Sequence, residues 1–268
     1  PSRSASRGWF PLYDHKPGNY RLNGNLHVPA SANGIVIDAT DVVLNLGGFQ
    51  LECAGGQNTG IFSDQNTTYT NITVANGNVT GCWSGVDFSS TGNATVEGLT
   101  VSGYGIVGIS VNNGVMRKNI VTGGSDPNCF GLLLSSGIVD SNFEGHDYIG
   151  IRVYRSSIAL IVGNVVIANY LAISAPNNGS VSAGSNTLRN SGTGNPLSTA
   201  VSQHRNITTF ATSLLVSAAA RHRHSRAAPA GLLVPAAVAI GASKNGSNFV
   251  QICALPRPGR PKLKTAPQ

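Results

Sequence analysis

A glycine followed by alternating apolar residues recurs along this chain: Gly34-Ile-Val-Ile, Gly60-Ile-Phe-Ser, Gly85-Val-Asp-Phe, Gly108-Ile-Ser-Val, Gly131-Leu-Leu-Leu and Gly150-Ile-Arg-Val. The spacings between them are 26, 25, 23, 23 and 19 residues, and residues 171–175 read as a degenerate seventh copy. A second register runs beside the first. Asn119, Asn142, Asn164 and Asn186 are 23, 22 and 22 apart, with Gly48, Gly77 and Gly98 taken as their equivalents in earlier copies.

Alternation with period two is the signature of a strand with one buried face. A period of about 22 residues holds three such strands, each too small to bury its apolar face alone, so stacking of successive copies must supply the core. The first strand points Ile35, Ile37, Ile61, Val86, Phe88, Ile109, Val111, Leu132, Leu134, Ile151 and Val153 inward. The second points in Val74, Val96, Val115 and Val139; the third points in Val79, Val101, Val121, Phe143 and Val166. The Asn/Gly register predicts a tight turn with left-handed backbone, and asparagines stacked at the inter-strand spacing can hydrogen-bond up their column. The expected fold is an all-β, right-handed parallel β-helix of about seven coils of three short strands. Residues 1–33 are expected as an irregular N-terminal cap, 34–195 as the helix, and 196–268 as a C-terminal cap or disordered basic tail.

Composition sharpens this picture. Charged residues are 11% of the 268, glycines number 33, and there is one Met. A helical bundle or Rossmann-type enzyme needs many more Ala, Leu, Glu and Lys. Charge is divided along the chain: 6 Lys and Arg against 11 Asp and Glu over residues 1–147, then 12 against none over 148–268. The tail is therefore basic, but no aromatics are interleaved with its charges, so nucleic acid is not the expected partner. No apolar run reaches the roughly 18 residues of a membrane span.

The segment Pro17–Gly56 (PGNYRLNGNLHVPASANGIVIDATDVVLNLGGFQLECAGG), with the glycine-headed coils after it, resembles the right-handed parallel β-helix proteins of the pectin-lyase-like superfamily. The resemblance covers about residues 17–194. It implies a polysaccharide cleft on the exposed face of the first strand and the loop before it. That superfamily holds lyases, hydrolases, epimerases, tail spikes and non-catalytic surface proteins, so activity must be argued from the site. A uronan lyase or epimerase neutralises a carboxylate, removes the C5 proton and returns a proton elsewhere. Arg suits the first task and His or Tyr the others. His146, Tyr148, Arg152 and Tyr154 are the candidate catalytic residues. Phe62, Trp83, Asp87, Tyr104 and Arg155 are candidate substrate contacts, with aromatic rings stacking on sugars. Asp126-Pro127-Asn128 matches two of the three positions of the Asp-Pro-His motif of alginate epimerases. Asp38, Asp64 and Asp87 fall on successive rungs and form a candidate Ca²⁺ site, hard oxygen ligands on a rigid face.

Aligning Leu51-Glu-Cys53-Ala54 with Val79-Thr-Gly81-Cys82 puts Cys53 and Cys82 one position apart on neighbouring rungs, within disulfide reach; two small buried thiols are the alternative. Seven Asn-x-Ser/Thr sequons, at Asn66, Asn71, Asn78, Asn93, Asn178, Asn206 and Asn245, favour an extracellular or cell-surface setting. The expected function is engagement of polysaccharide along the first-strand face, with uronan lyase or epimerase chemistry as its catalytic form. The alternative is a structural module that self-associates through its ends or edges.

Overall fold

The computed structural model of the chain describes residues 12–154, 158–175, 180–190, 197, 201–204, 207–210, 240–242 and 248–250. Contacts divide the chain into two units, Pro1–Thr212 and Ser213–Gln268. The first is a parallel β-solenoid of about eight turns, with no helix among the described residues. The second contributes a two-stranded antiparallel pair, Ile240–Ala242 with Asn248–Val250.

Each coil lays three strands, and each strand pairs in parallel with its equivalents one coil away. The first column begins with Leu12–Asp14 on Ile35–Ile37 and continues through Thr59–Ser63 and Ser84–Phe88. It then runs through the opening halves of Val107–Arg117 and Phe130–Asp140 and the closing halves of Phe143–Val153 and Val165–Ser174. The ladder begins ahead of residue 34: Gly18–Arg21 pairs with Val42–Asn45, and Leu26–Val28 with Gln50–Cys53. It also runs past residue 195, where Val201–His204 pairs with Ser180–Gly184 and Ile207–Phe210 with Thr187–Asn190. These outer coils lack the glycine heading. Parallel backbone pairing does not require it, and Leu26 and Val28 still turn inward and are buried.

The first-strand residues read as inward are all buried, from Ile35 to Val153. Two positions of the other strands differ from expectation. Val96 aligns with Met116, not Val115, and Met116 is buried. Val121 and Val166 align with Glu144, not Phe143, which is exposed. The ladder keeps its register through both places, so alignment with the neighbouring coils sets the inward position, whichever of two adjacent residues is the more apolar.

Asn119, Asn142, Asn164 and Asn186 form one buried column. Asn119 Nδ2 donates to Asn142 Oδ1 at 2.9 Å, Asn142 Nδ2 to Asn164 Oδ1 at 3.0 Å and Asn164 Nδ2 to Asn186 Oδ1 at 2.9 Å. The left-handed residue is the one before each asparagine: Lys118 (φ 54°), Ser141 (φ 55°), Gly163 (φ 68°) and Ser185 (φ 55°). Ladder register sets Gly48 and Gly98 in this left-handed column, and of the three glycines only Gly77 aligns with the asparagines. Turn and ladder are thus adjacent jobs held by adjacent residues.

Cys53 and Cys82 are bridged, with Cα atoms 4.9 Å apart. The bridge ties two coils 29 residues apart in sequence. Closing a loop of that size in the unfolded chain is worth about 3.5 kcal/mol in the chain-entropy description. The double variant Cys53→Ser/Cys82→Ser should lose about that much in chemical denaturation; an unchanged midpoint would remove the bridge from the stabilising set.

Beside the asparagine corner, apolar side chains face outward on consecutive coils. Ile138 and Leu160 align on the second strand, and Ile120, Phe143 and Val165 on the third, all exposed. No helix among the described residues is long and apolar enough to cross a membrane.

Candidate functional site

Outward positions of the first strand stack as Val36, Phe62, Asp87, Ser110, Leu133, Arg152 and Ser174. Val36 is buried, Phe62 and Asp87 are half-buried. At the strands' C-terminal edge an open pocket of about 430 Å³ is lined by Ser89, Ser90, Ser110, Asn112, Ser135 and Tyr154, with Leu133 on its wall. Tyr154 is 48% exposed. Its N–H donates to Leu134 O at 2.7 Å, which fixes the residue to the rung below. Among the described residues the pocket's lining carries hydroxyl and amide groups and no carboxylate, imidazole, amine or guanidinium.

Of the four candidate catalytic residues, the structure brings Arg152 and Tyr154 together. The Arg152 guanidinium lies over the Phe130 ring, 4.8 Å from its centroid, and 5.9 Å from that of Tyr154. Tyr148 instead stacks on Tyr170, with centroids 4.8 Å apart and planes 4° from parallel. His146 is the bulged residue where pairing with the next coil shifts, at φ 74°, and its side chain is exposed. Its carbonyl accepts from Asn169 Nδ2 at 3.1 Å. Arg155 lies outside the described residues. The sequence reading missed Phe130 and Tyr170. Tyr170 aligns with Tyr148 and with the position of Trp83, one residue before Ser84, while Phe130 opens its strand level with Ser84. The recurrence of Trp83, Tyr148 and Tyr170 two residues before the glycine position is the available signal.

Trp83 is half-buried, its ring laid so closely over Gly105 that a Cβ there would sit 2.1 Å from it. Tyr104 is fully buried, so it is no surface contact for a sugar. The reason is local: its neighbours along the chain are Gly103 and Gly105, and its ring turns into the core, where its hydroxyl donates to Asp147.

The three candidate calcium ligands do not share one column. Asp87 aligns with Phe62, two residues before Asp64. Asp38 meets His15, Asp64 Oδ1 accepts from Asn66 N at 3.0 Å, and Asp87 Oδ1 from Ser89 N at 3.0 Å. Two of the three thus close their own turns, and no group of three His, Cys, Asp or Glu arranged for a metal occurs among the described residues. Asp126 likewise accepts from Asn128 N at 2.7 Å, making the Asp-Pro-Asn segment a turn. The sequons at Asn66, Asn71, Asn78 and Asn93 are exposed; the other three lie outside the described residues.

The unusual chemistry is inside the solenoid. Asp147 is fully buried and accepts from Tyr104 Oη, from Gly124 N at 2.9 Å and from Cys129 Sγ at 3.4 Å. Glu144 is equally buried, and no donor reaches either of its oxygens. Burial first, and the Asp147 carboxyl beside it second, hold the Glu144 carboxyl well above the usual carboxylate range. Burial and then Asp147 push the Tyr104 phenol far up. Burial is also the main cause that takes the Cys129 thiol up to about 11.

Comparison of the chain with protein-family models, with curated proteins and with solved structures finds no match to any of them.

Proposed function

We propose that this protein is an extracellular β-helix protein of the pectin-lyase-like kind that binds polysaccharide along its first-strand face, without turning it over. The observation that carries the reading is the pocket beside Tyr154, lined by Ser89, Ser110, Asn112 and Ser135. Sugar recognition uses an aromatic face against the ring and hydroxyl or amide groups at its edge. A rigid parallel stack repeats such groups at each rung, which suits a chain of repeating units.

The same geometry argues against lyase or epimerase chemistry. Those reactions need a base within hydrogen-bond reach of C5 and a cation at the uronate carboxylate. Among the described residues the cation nearest the pocket, Arg152, rests on Phe130, and His146 stands on a separate bulge. A neutral polysaccharide fits the uncharged lining better than a polyuronate.

Titration with neutral glucans, galactomannans and polyuronates tests this directly. Tyr154→Ala should weaken binding of the preferred neutral chain at least about tenfold, the stacking contact being worth about 1.4 kcal/mol or more. Absence of binding to any neutral polysaccharide would overturn the reading. Accumulation of unsaturated product from a uronan would restore the enzyme.

A second reading, a structural module, is favoured by one observation: the exposed strip of Ile138, Leu160, Ile120, Phe143 and Val165. Contiguous apolar surface on a soluble fold marks an interaction site. Concentration-dependent association that Leu160→Lys abolishes, in a protein indifferent to glycans, would decide for it.

A further inference from the structure

We propose that Glu144 and Asp147 hold a single proton between them in the solenoid core, and that its loss at raised pH loosens the coils around them. The device stands on placement. Both carboxyls are fully buried and both face the space left by glycines: a Cβ on Gly131 would lie 2.5 Å from Glu144 Cγ and 2.8 Å from Asp147 Oδ2, and one on Gly150 would lie 2.3 Å from Glu144 Oε2.

The two carboxyls are provided for unequally. Asp147 has three donors, the Tyr104 hydroxyl, the Gly124 N–H and the Cys129 thiol, which suit a charged carboxylate. Glu144 has none. Its coil neighbours above and below are Val121 and Val166. A bare carboxylate there would be desolvated beside a second negative charge, whereas a neutral carboxylic acid can donate its own hydrogen to Asp147. The titratable groups facing the pair are Tyr104 and Cys129, both held in their neutral forms, and no basic side chain is among them.

The sign follows from where the proton is kept. Glu144 holds it in the folded state well above 4.5, the ordinary value at which the unfolded chain releases it. The contribution to stability is therefore complete below that value and is lost as pH rises through the folded-state one, with the folding constant falling about tenfold per pH unit at its steepest.

Cys129, buried against Asp147, reports opening. Full-length protein carrying Cys253→Ser would be labelled with an uncharged maleimide, in the presence and absence of Glu144→Gln, between about pH 5.5 and about pH 9. Thiol ionisation is common to both proteins, so their rate ratio isolates Glu144. The expected ratio is near one at the acid end, with the Glu144 protein labelled at least about tenfold faster at the alkaline end. A ratio that stays flat across the range overturns the proposal. Should Glu144→Gln fail to fold, the wild-type unfolding midpoint decides: it must fall from about pH 5 to about pH 8, before the thiol and phenol ionise. A midpoint that is constant or rises over that span sinks the shared proton; a rise that depends on added divalent cation would assign the pair to a metal instead.

Discussion

Replacing Asn142 by alanine should cost about 3–5 kcal/mol, a large fraction of the stability of any single domain. Asn142 sits inside the column, not at its end. Its Oδ1 accepts from both the backbone N–H and the Nδ2 of Asn119, each at 2.9 Å, and its own Nδ2 donates to Met116 O at 2.9 Å and onward to Asn164 Oδ1. Truncation leaves the Asn119 N–H with no acceptor in a site that is 1% exposed. A buried orphan costs far more than an average hydrogen bond contributes, because water cannot replace the partner. Asn142→Asp should be worse still, since a carboxylate accepts but cannot donate to Met116 O. Asn113 is the control: it is exposed and accepts only from Ser136 Oγ, at 3.2 Å. Asn113→Ala should fall within about 0.5 kcal/mol of wild type. Denaturant titration followed by far-ultraviolet dichroism separates the two, and equal losses would mean that the column does not carry load.

Much of this architecture was legible in the chain before any coordinate. The glycine-headed alternation located the first strand of the coils from Ile35 to Val153, because a strand buried on one face must repeat with period two. The asparagine spacing located the column. It did not say which residue turns. An asparagine at a left-handed corner and an asparagine just after it leave the same spacing, and Lys118, Ser141 and Ser185 do not advertise a positive φ. The site was less legible for a related reason. Counting alternation onward from the buried Glu144 without a break sends Asp147 outward. The bulge at His146 resets the count and drives Asp147 into the core, with Tyr104 drawn in after it. A bulge adds one residue and carries no composition of its own, so it is invisible to periodicity. Arg152, on the uninterrupted strand after the bulge, and Tyr154, just past that strand's end, do face outward as the alternation requires.

The second large effect belongs to the inner corner, where side chains must be absent. On the second strand's inward column Ala94, Gly114, Gly137 and Ala159 follow one another. Val107–Arg117 and Phe130–Asp140 run straight through this corner without a break, so the backbones approach closely. A Cβ on Gly137 would lie 2.0 Å from the Gly114 carbonyl oxygen, at φ 122°. That neighbour is backbone in a paired strand and cannot rotate aside, so Gly137→Ala must break pairing or displace a coil. The expected loss exceeds about 4 kcal/mol, which in a stack stabilised by nearest-neighbour contacts separates the coils on either side. Gly48 gives the contrast that identifies the cause. It too is left-handed, φ 84°, but nothing lies within 4 Å of its Cβ position. Gly48→Ala should lose only the roughly 1–2 kcal/mol of a left-handed L-residue, and Gly48→Asn less. If both alanine variants lost the same amount, backbone conformation alone would account for the glycines and close approach would play no part. A Gly137→Ala protein with proteolytic cleavage newly opened near residues 114–137, beside an intact Gly48→Ala protein, is the outcome the geometry requires.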